Sequence, residues 1–556
     1  MLIIGIDMGG TNIDGVIIRN GSLQKSVKLQ VDHNHVLQSI LACLNDLLQD
    51  VDKTEIDRIN LSTTVCTNAI VEDKVSQVGM ILQPGPGLQW QFDRMGGYLR
   101  YVSGSVDHRG KLVRDVDLKE LEQIKQEFSA SPIEALAIVN KFSPRNPVIE
   151  EQIKDSFRDV YEHITLGHSL SGKLNFPRRV QTAYLNAATG KSFHNFAAYM
   201  REALAKEQIT APVYILKADG GTIDLTGATA KPVETILSGP AASCMGMRAL
   251  LAVEDADFCL LDIGGTTTDI FFLVNGVPVF EPLGIEIDGR KTLVRAIFST
   301  SIGLGGDSFV RFEDGELLIG PKRAGNAIAF GGEELTPTDA LVYLNAIEGR
   351  YPNESRLAIE MAAGQADMDS RQLALAIVEK MCGIIKGRID VTLQKINASP
   401  VYTVKELLRD RTVKPKSIGV IGGPAQALAP YLEDSLNIPV ACPENYAVAN
   451  AIGAALAKPT IEINLFADTE RGIMSIPELE IYEKINKNFD LTEAKRIALE
   501  KTSLAGQALG LDVEQSEAEI VEAESFNMVQ GYFGADKNIR VKAQIKPGLL
   551  PEGKVE

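Results

Sequence analysis

An eight-residue pattern, Asp-x-Gly-Gly-Thr-x-x-Asp, occurs twice in this chain and constrains its fold more than any other feature. It reads Asp7-Met8-Gly9-Gly10-Thr11-Asn12-Ile13-Asp14 near the start and Asp262-Ile263-Gly264-Gly265-Thr266-Thr267-Thr268-Asp269 near the middle. With five fixed positions at about one-in-twenty usage each, one chance match is expected roughly once in a few thousand chains of this length. Two matches require a common cause.

The flanks show what that cause is. Apolar, β-branched runs precede each motif (Leu2-Ile3-Ile4-Gly5-Ile6; Phe258-Cys259-Leu260-Leu261) and follow it (Gly15-Val16-Ile17-Ile18; Ile270-Phe271-Phe272-Leu273-Val274), so each motif is the tight turn of a β-hairpin. Paired glycines let backbone amides approach a ligand closely. Such a bend suits phosphate oxygens, the threonine hydroxyl adds a donor, and a carboxylate at the strand end can hold Mg²⁺ or order a water. One hairpin makes half a site. Two in one chain predict a pair of related domains facing each other across a nucleotide.

The rest of the chain supplies matching parts. Three strands and an apolar-faced helix over residues 1–48 follow the order of a ribonuclease-H-like unit. Residues 84–115, rich in Gly and Pro around Trp90, read as a loop-rich insertion. Later come a glycine turn, Gly305-Gly306-Asp307, helices over 338–395, and a strand Ser417 to Ile421 ending in Gly422-Gly423-Pro424. These glycines are candidates for contact with the nucleotide, Gly422 and Gly423 with its nucleoside. The expected fold is therefore α/β: duplicated ribonuclease-H-like (actin-like ATPase) domains with a nucleotide cleft, over residues 1–180 and 181–460. A small C-terminal α/β module is expected over 461–556.

Composition narrows the function by exclusion. The formal net charge of −17 supplies no basic footprint for nucleic acid or anionic membrane. No apolar run reaches the roughly 18 residues of a membrane span and no basic leader precedes the first strand, so a cytoplasmic protein is expected. The six cysteines are scattered without a Cys-x-x-Cys pair, which argues against a disulfide framework or a zinc or iron–sulfur ligand set.

Several ordered stretches narrow the match further. They are Thr63-Thr64-Val65-Cys66-Thr67-Asn68-Ala69, Phe142-Ser143-Pro144-Arg145-Asn146-Pro147, Thr182-Ala183-Tyr184-Leu185-Asn186-Ala187, Ser238-Gly239-Pro240-Ala241-Ala242 and Leu335-Thr336-Pro337-Thr338-Asp339-Ala340. With the two hairpins, this set resembles the hydantoinase/oxoprolinase A-type family within the superfamily of actin, sugar kinases and heat-shock chaperone ATPases. The resemblance covers residues 1 to about 457. Asp307 stands where that family commonly has a further glycine.

The resemblance implies ATP and Mg²⁺ in a cleft between the domains, and ATP-dependent activation of a carbonyl or cyclic amide by phosphorylation of its oxygen before ring opening. It also implies a small-molecule substrate and allows a B-type partner subunit or a homo-oligomer. Asp7 and Asp262 are the expected metal ligands and catalytic acids, with Asp269 beside them. Gly9, Gly10, Thr11, Asp14, Gly264, Gly265, Thr266, Gly305 and Gly306 are expected around the phosphates, and Thr67, Asn68 and Arg145 on the acceptor side. A plain small-molecule kinase and a nucleotide-switched ATPase acting on a partner protein are the alternatives.

Overall fold

The computed structural model describes all residues except 11, 33–34, 50, 87–91, 93–94, 96, 252, 254–255, 282, 314, 324, 399–411, 515, 529–535 and 552–556. Thr11 and Trp90 therefore lie outside the described residues.

Both motifs form hairpins. Leu2–Met8 pairs antiparallel with Asn12–Arg19, and Phe258–Ile263 with Thr268–Val274. In each, the two motif aspartates are cross-strand partners, Asp7 with Asp14 and Asp262 with Asp269. The hairpins seed two sheets of related order. In the first, Arg58–Thr63 lies parallel to Leu2–Met8, Val213–Leu216 parallel to Arg58–Thr63, and Ser22–Gln30 completes the hairpin side. In the second, Ser417–Ile421 lies parallel to Phe258–Ile263, and Val440–Ala441 parallel to Ser417–Ile421. This is the duplicated ribonuclease-H-like arrangement that the repeated motif predicts.

Two expectations about boundaries need correction. Residue 180 falls inside the helix Phe176–Lys206, and the strands Val213–Leu216 and Thr222–Asp224 belong to the first sheet. The physical reason is topological: parallel strands need a long crossover, and this helix is the crossover within the first domain rather than a bridge to the second. The stretch 84–115 is also more than a loop-rich insertion. Its strand Leu99–Tyr101 joins Val78–Gln83, Ala135–Asn140 and Ile164–Leu166 in a separate four-stranded parallel sheet.

Residues from Ile461 onward build a five-stranded antiparallel sheet with the helix Leu491–Ala508 packed on it. That sheet docks on the inserted unit. Arg109 makes a bidentate ion pair with Asp468 at 2.7 and 2.9 Å, and the Ser475 hydroxyl donates to the Pro144 carbonyl.

Between the two main sheets, the helices Ser238–Leu250 and Ala449–Leu456 cross at very short range. A Cβ on Gly246 would stand 2.0 Å from the Ala449 carbonyl oxygen, and one on Gly453 would stand 2.1 Å from that of Ala242. Close approach of backbones is what these glycines supply. The Gly246→Val variant is expected to lose about 3 kcal/mol or more, because the backbones must separate. A thermal midpoint unchanged from the parent would contradict that packing.

Candidate functional site

The two bends are built alike. The Gly9 amide donates to the Asn12 carbonyl at 3.0 Å, and the Gly264 amide donates to that of Thr267 at 2.9 Å. These two amides thus shape the turns, with Gly10, Gly265 and Thr266 at the bends themselves. Gly10 and Thr266 are exposed, and a Cβ on Gly10 would lie 3.8 Å from the Asn68 amide nitrogen. Asn68 is therefore at the first bend, where it donates to the Thr64 hydroxyl. Thr64 in turn donates to the Met8 carbonyl.

Other parts converge on the second bend. Gly306 and Asp307 donate their amides to the carbonyls of Gly264 and Gly265, at 2.9 and 2.7 Å. Gly305 and Gly306 are buried, so this turn braces the bend from behind. The Asp307 carboxylate lies against Gly265 and is held by Arg323 at 3.0 Å. Gly422 has a φ of +106° and sits so near the Ile263 carbonyl that a Cβ would stand 2.1 Å from it. Gly423 faces open space. Among the glycines at this strand end, Gly422 allows the close approach and Gly423 is exposed.

The decisive geometry joins the two halves. Asn450, on the second crossing helix, donates to Asp7 at 3.4 Å. The Ser243 hydroxyl, on the first, lies 2.6 Å from an Asp262 oxygen, 3.0 Å from the Asn450 side-chain carbonyl and 3.3 Å from the Gly239 carbonyl, so its one proton has three acceptors within reach, Asp262 the nearest. Two side chains thus span from one motif aspartate to the other. The bends face a common centre.

The electrostatics suit a cation. Burial pushes the Asp7 carboxyl up to about 6, with its cross-strand partner Asp14 pushing the same way against the nearby Ser62 hydroxyl and the Asn450 side chain. Burial also raises Asp14, Asp262 and Asp269, although Lys28 at 2.8 Å restrains Asp14 and Ser301 restrains Asp269. One oxygen each of Asp7 and Asp14 is buried with no hydrogen-bond donor. An orphaned oxygen on each of two paired acids suits a hard divalent ion such as Mg²⁺ with water supplying most of its shell, although no group of three or more His, Cys, Asp or Glu among the described residues is placed to hold one.

Not every expected residue joins the centre. Thr67 accepts the Leu237 amide at 3.1 Å and so anchors the left-handed residue that opens the crossing helix. Arg145 lies elsewhere, its guanidinium 3.1 Å from the Phe466 ring centroid on the C-terminal sheet. Burial pushes that guanidinium down to about 9. Cys66 is a buried thiol raised to about 11 by burial, which makes it unreactive. Ser243 and Asn450 were not among the expected residues. Their signal is a polar side chain on helices rich in glycine and alanine.

Comparison with known families matches the hydantoinase/oxoprolinase model over residues 179–463, and the model of its N-terminal region over residues 3–161. The chain belongs to the hydantoinase/oxoprolinase family. Among curated relatives, an uncharacterized protein of Methanocaldococcus jannaschii is 22% identical over 64% of this chain and 55% of its own length. The 5-oxoprolinase 1 of Arabidopsis thaliana is 24% identical over 61% of this chain and 29% of its own. The chain thus spans about half, or less, of the length of these relatives. Two solved structures share the fold nearly throughout. The ATP-dependent caprolactamase from Pseudomonas jessenii aligns with a TM-score of 0.71 and 18% identity, over 97% of this chain and 87% of that one. Nucleotide-free acetone carboxylase aligns with a TM-score of 0.68 and 16% identity, over 99% and 88%. This hydantoinase/oxoprolinase chain therefore has the actin-like ATPase fold, and no helix among its described residues is long and apolar enough to cross a membrane.

Proposed function

We propose that the chain uses ATP to activate a carbonyl or cyclic amide, phosphorylating the oxygen so that the ring can be opened by water. The observation that carries this reading is the Asp7–Asn450–Ser243–Asp262 connection, which sets two acid-bearing glycine bends against one centre. The names of the 5-oxoprolinase and caprolactamase relatives support the cyclic-amide part.

An unactivated amide is a poor electrophile because nitrogen donates into the carbonyl. Transfer of the γ-phosphoryl group to the amide oxygen forms one O–P bond and releases ADP. Water then adds to the carbon, and collapse of the tetrahedral intermediate breaks the C–N bond, the nitrogen leaving with a proton and the carbon remaining as an acyl phosphate; a second water hydrolyses that acyl phosphate to the carboxylate and free phosphate. In that sequence the amides and hydroxyls of Gly10, Gly265 and Thr266 would hold phosphate oxygens in line. Asp7 and Asp262 would hold Mg²⁺, which supplies positive charge against the phosphates. Asp14 and Asp269, each opposite its partner across a hairpin, would keep the local field negative enough to retain the ion. Asn450 and Ser243 would fix the carboxylate rotamers. Gly423 would admit the nucleoside.

The test is ADP release measured with Mg²⁺ over a panel of hydantoin, 5-oxoproline and caprolactam, with the ring-opened product followed by mass spectrometry. Stimulated turnover with ring opening is expected for at least one compound. A stable phosphorylated product would make the chain a kinase instead, and ATP binding with flat turnover across the panel would remove the proposal.

A further inference from the structure

A cavity of about 370 Å³ lies where the first domain meets the C-terminal sheet. It opens at the carboxyl end of strand Val213–Leu216, two strands from the first bend along the same sheet edge, on the order of 10 Å away. Its apolar wall includes Ile223, Val233 and Leu479. Lys173, Lys217 and Arg295 also line it.

The cations are held loosely. Lys217 is 3.6 Å from Asp219 and 3.7 Å from Glu234, and its one shorter contact is a 3.2 Å hydrogen bond to the Thr460 carbonyl. Arg295 and Lys173 stand 3.6 and 3.9 Å from Glu462, an acid already bound by Lys542 at 3.0 Å. The carboxylate separations exceed hydrogen-bond length, and the Arg295 guanidinium otherwise lies 4.5 Å from the Phe280 ring centroid, so each cation has donors that no carboxylate takes up. Burial lowers the Lys173 ammonium, a sign that its charge is under-compensated there. The remaining acids do not fill the need. Glu478 is raised by burial and occupied by Asn464 and the Gly172 amide, and Asp224 caps the amides of Thr226 and Gly227, with Lys231 also lining the cavity.

We propose that this cavity binds a small organic carboxylate, its anionic end on Lys217, Arg295 and Lys173 and its short apolar body against Ile223, Val233 and Leu479. A half-buried guanidinium and two ammonium groups favour an anion over a neutral isostere, because bonds to charged partners are about twice as strong as neutral ones. A volume near the lower end of ordinary ligand sites suits a body of a few carbons. The site stands apart from the bends, so it holds whether or not the chain turns over a cyclic amide.

Isothermal titration of the intact chain with butyrate, pentanoate and hexanoate, each against its neutral amide, tests this without nucleotide. At least one acid is expected to bind with a Kd below ~1 mM and at least about tenfold more tightly than its amide. Arg295→Met and Lys173→Met should each weaken that acid about tenfold, while the affinity for ATP·Mg²⁺ at the bends stays unchanged. Lys173→Met changes the most exposed of the three and keeps the test open if the Arg295 variant misfolds. No acid binding, equal binding of acids and amides, or full affinity in folded variants would overturn the proposal; loss of ATP binding alone would count against the bends and leave this site standing.

Discussion

Asp7→Asn and Asp262→Asn are each expected to lower Mg²⁺-dependent ATP turnover at least about a hundredfold, the usual loss when one preorganised charge-stabilising group is removed. Both substitutions keep shape and volume, so the loss would come from charge. Asparagine keeps one acceptor oxygen, which lets Asn450 and Ser243 hold the side chain where they hold it now. What it cannot supply is a negative oxygen for a divalent ion. The same argument predicts that raising Mg²⁺ recovers part of the rate in each variant and that neither change alters the circular-dichroism spectrum. Near-parental rates in both would mean that these aspartates are hairpin residues and that the metal sits elsewhere.

The bends were legible because their information is local. Five fixed residues flanked by β-branched runs determine a hairpin without help from the rest of the chain, and the Gly-Gly pair shows where the backbone must turn. Asn68 was expected on the acceptor side and lies beside the first bend, on the helix Val65–Val71 that follows the strand parallel to Leu2–Met8. Long-range pairing hid the rest. Asn450 reaches Asp7 across 443 positions and Ser243 across 207, and periodicity within a helix cannot register such partners. Arg145 shows the opposite failure. It was expected on the acceptor side, yet its guanidinium lies over Phe466 of the C-terminal sheet, and only the docked fold contains that fact. The domain boundary failed likewise, because whether a long helix links two domains or crosses over within one depends on which strand comes after it and where that strand pairs.

The acids that would hold the ion should also weaken the ligand-free fold, and Asp7→Asn is expected to stabilise it at neutral pH. Burial raises Asp7 from an ordinary 3.8 to about 6. The folded state therefore binds this proton more tightly than the unfolded state does, so stability falls as pH rises between about 4 and about 6 and stays reduced above that. A shift of roughly two pH units corresponds to about 3 kcal/mol. Because Asp7 is only 6% exposed, solvent screening does not remove the penalty. Asparagine cannot ionise and escapes it. In the presence of EDTA, the variant should thus melt several degrees above the parent at pH 7.5, with the gap closing near pH 4. Mg²⁺ should narrow the gap at pH 7.5, since an ion bound to the ionised carboxylate stabilises only the parent. Identical melting at both pH values would mean that the Asp7 carboxylate is already compensated in the ligand-free fold. A gap that Mg²⁺ leaves untouched would mean that the acid is strained for some purpose other than the metal.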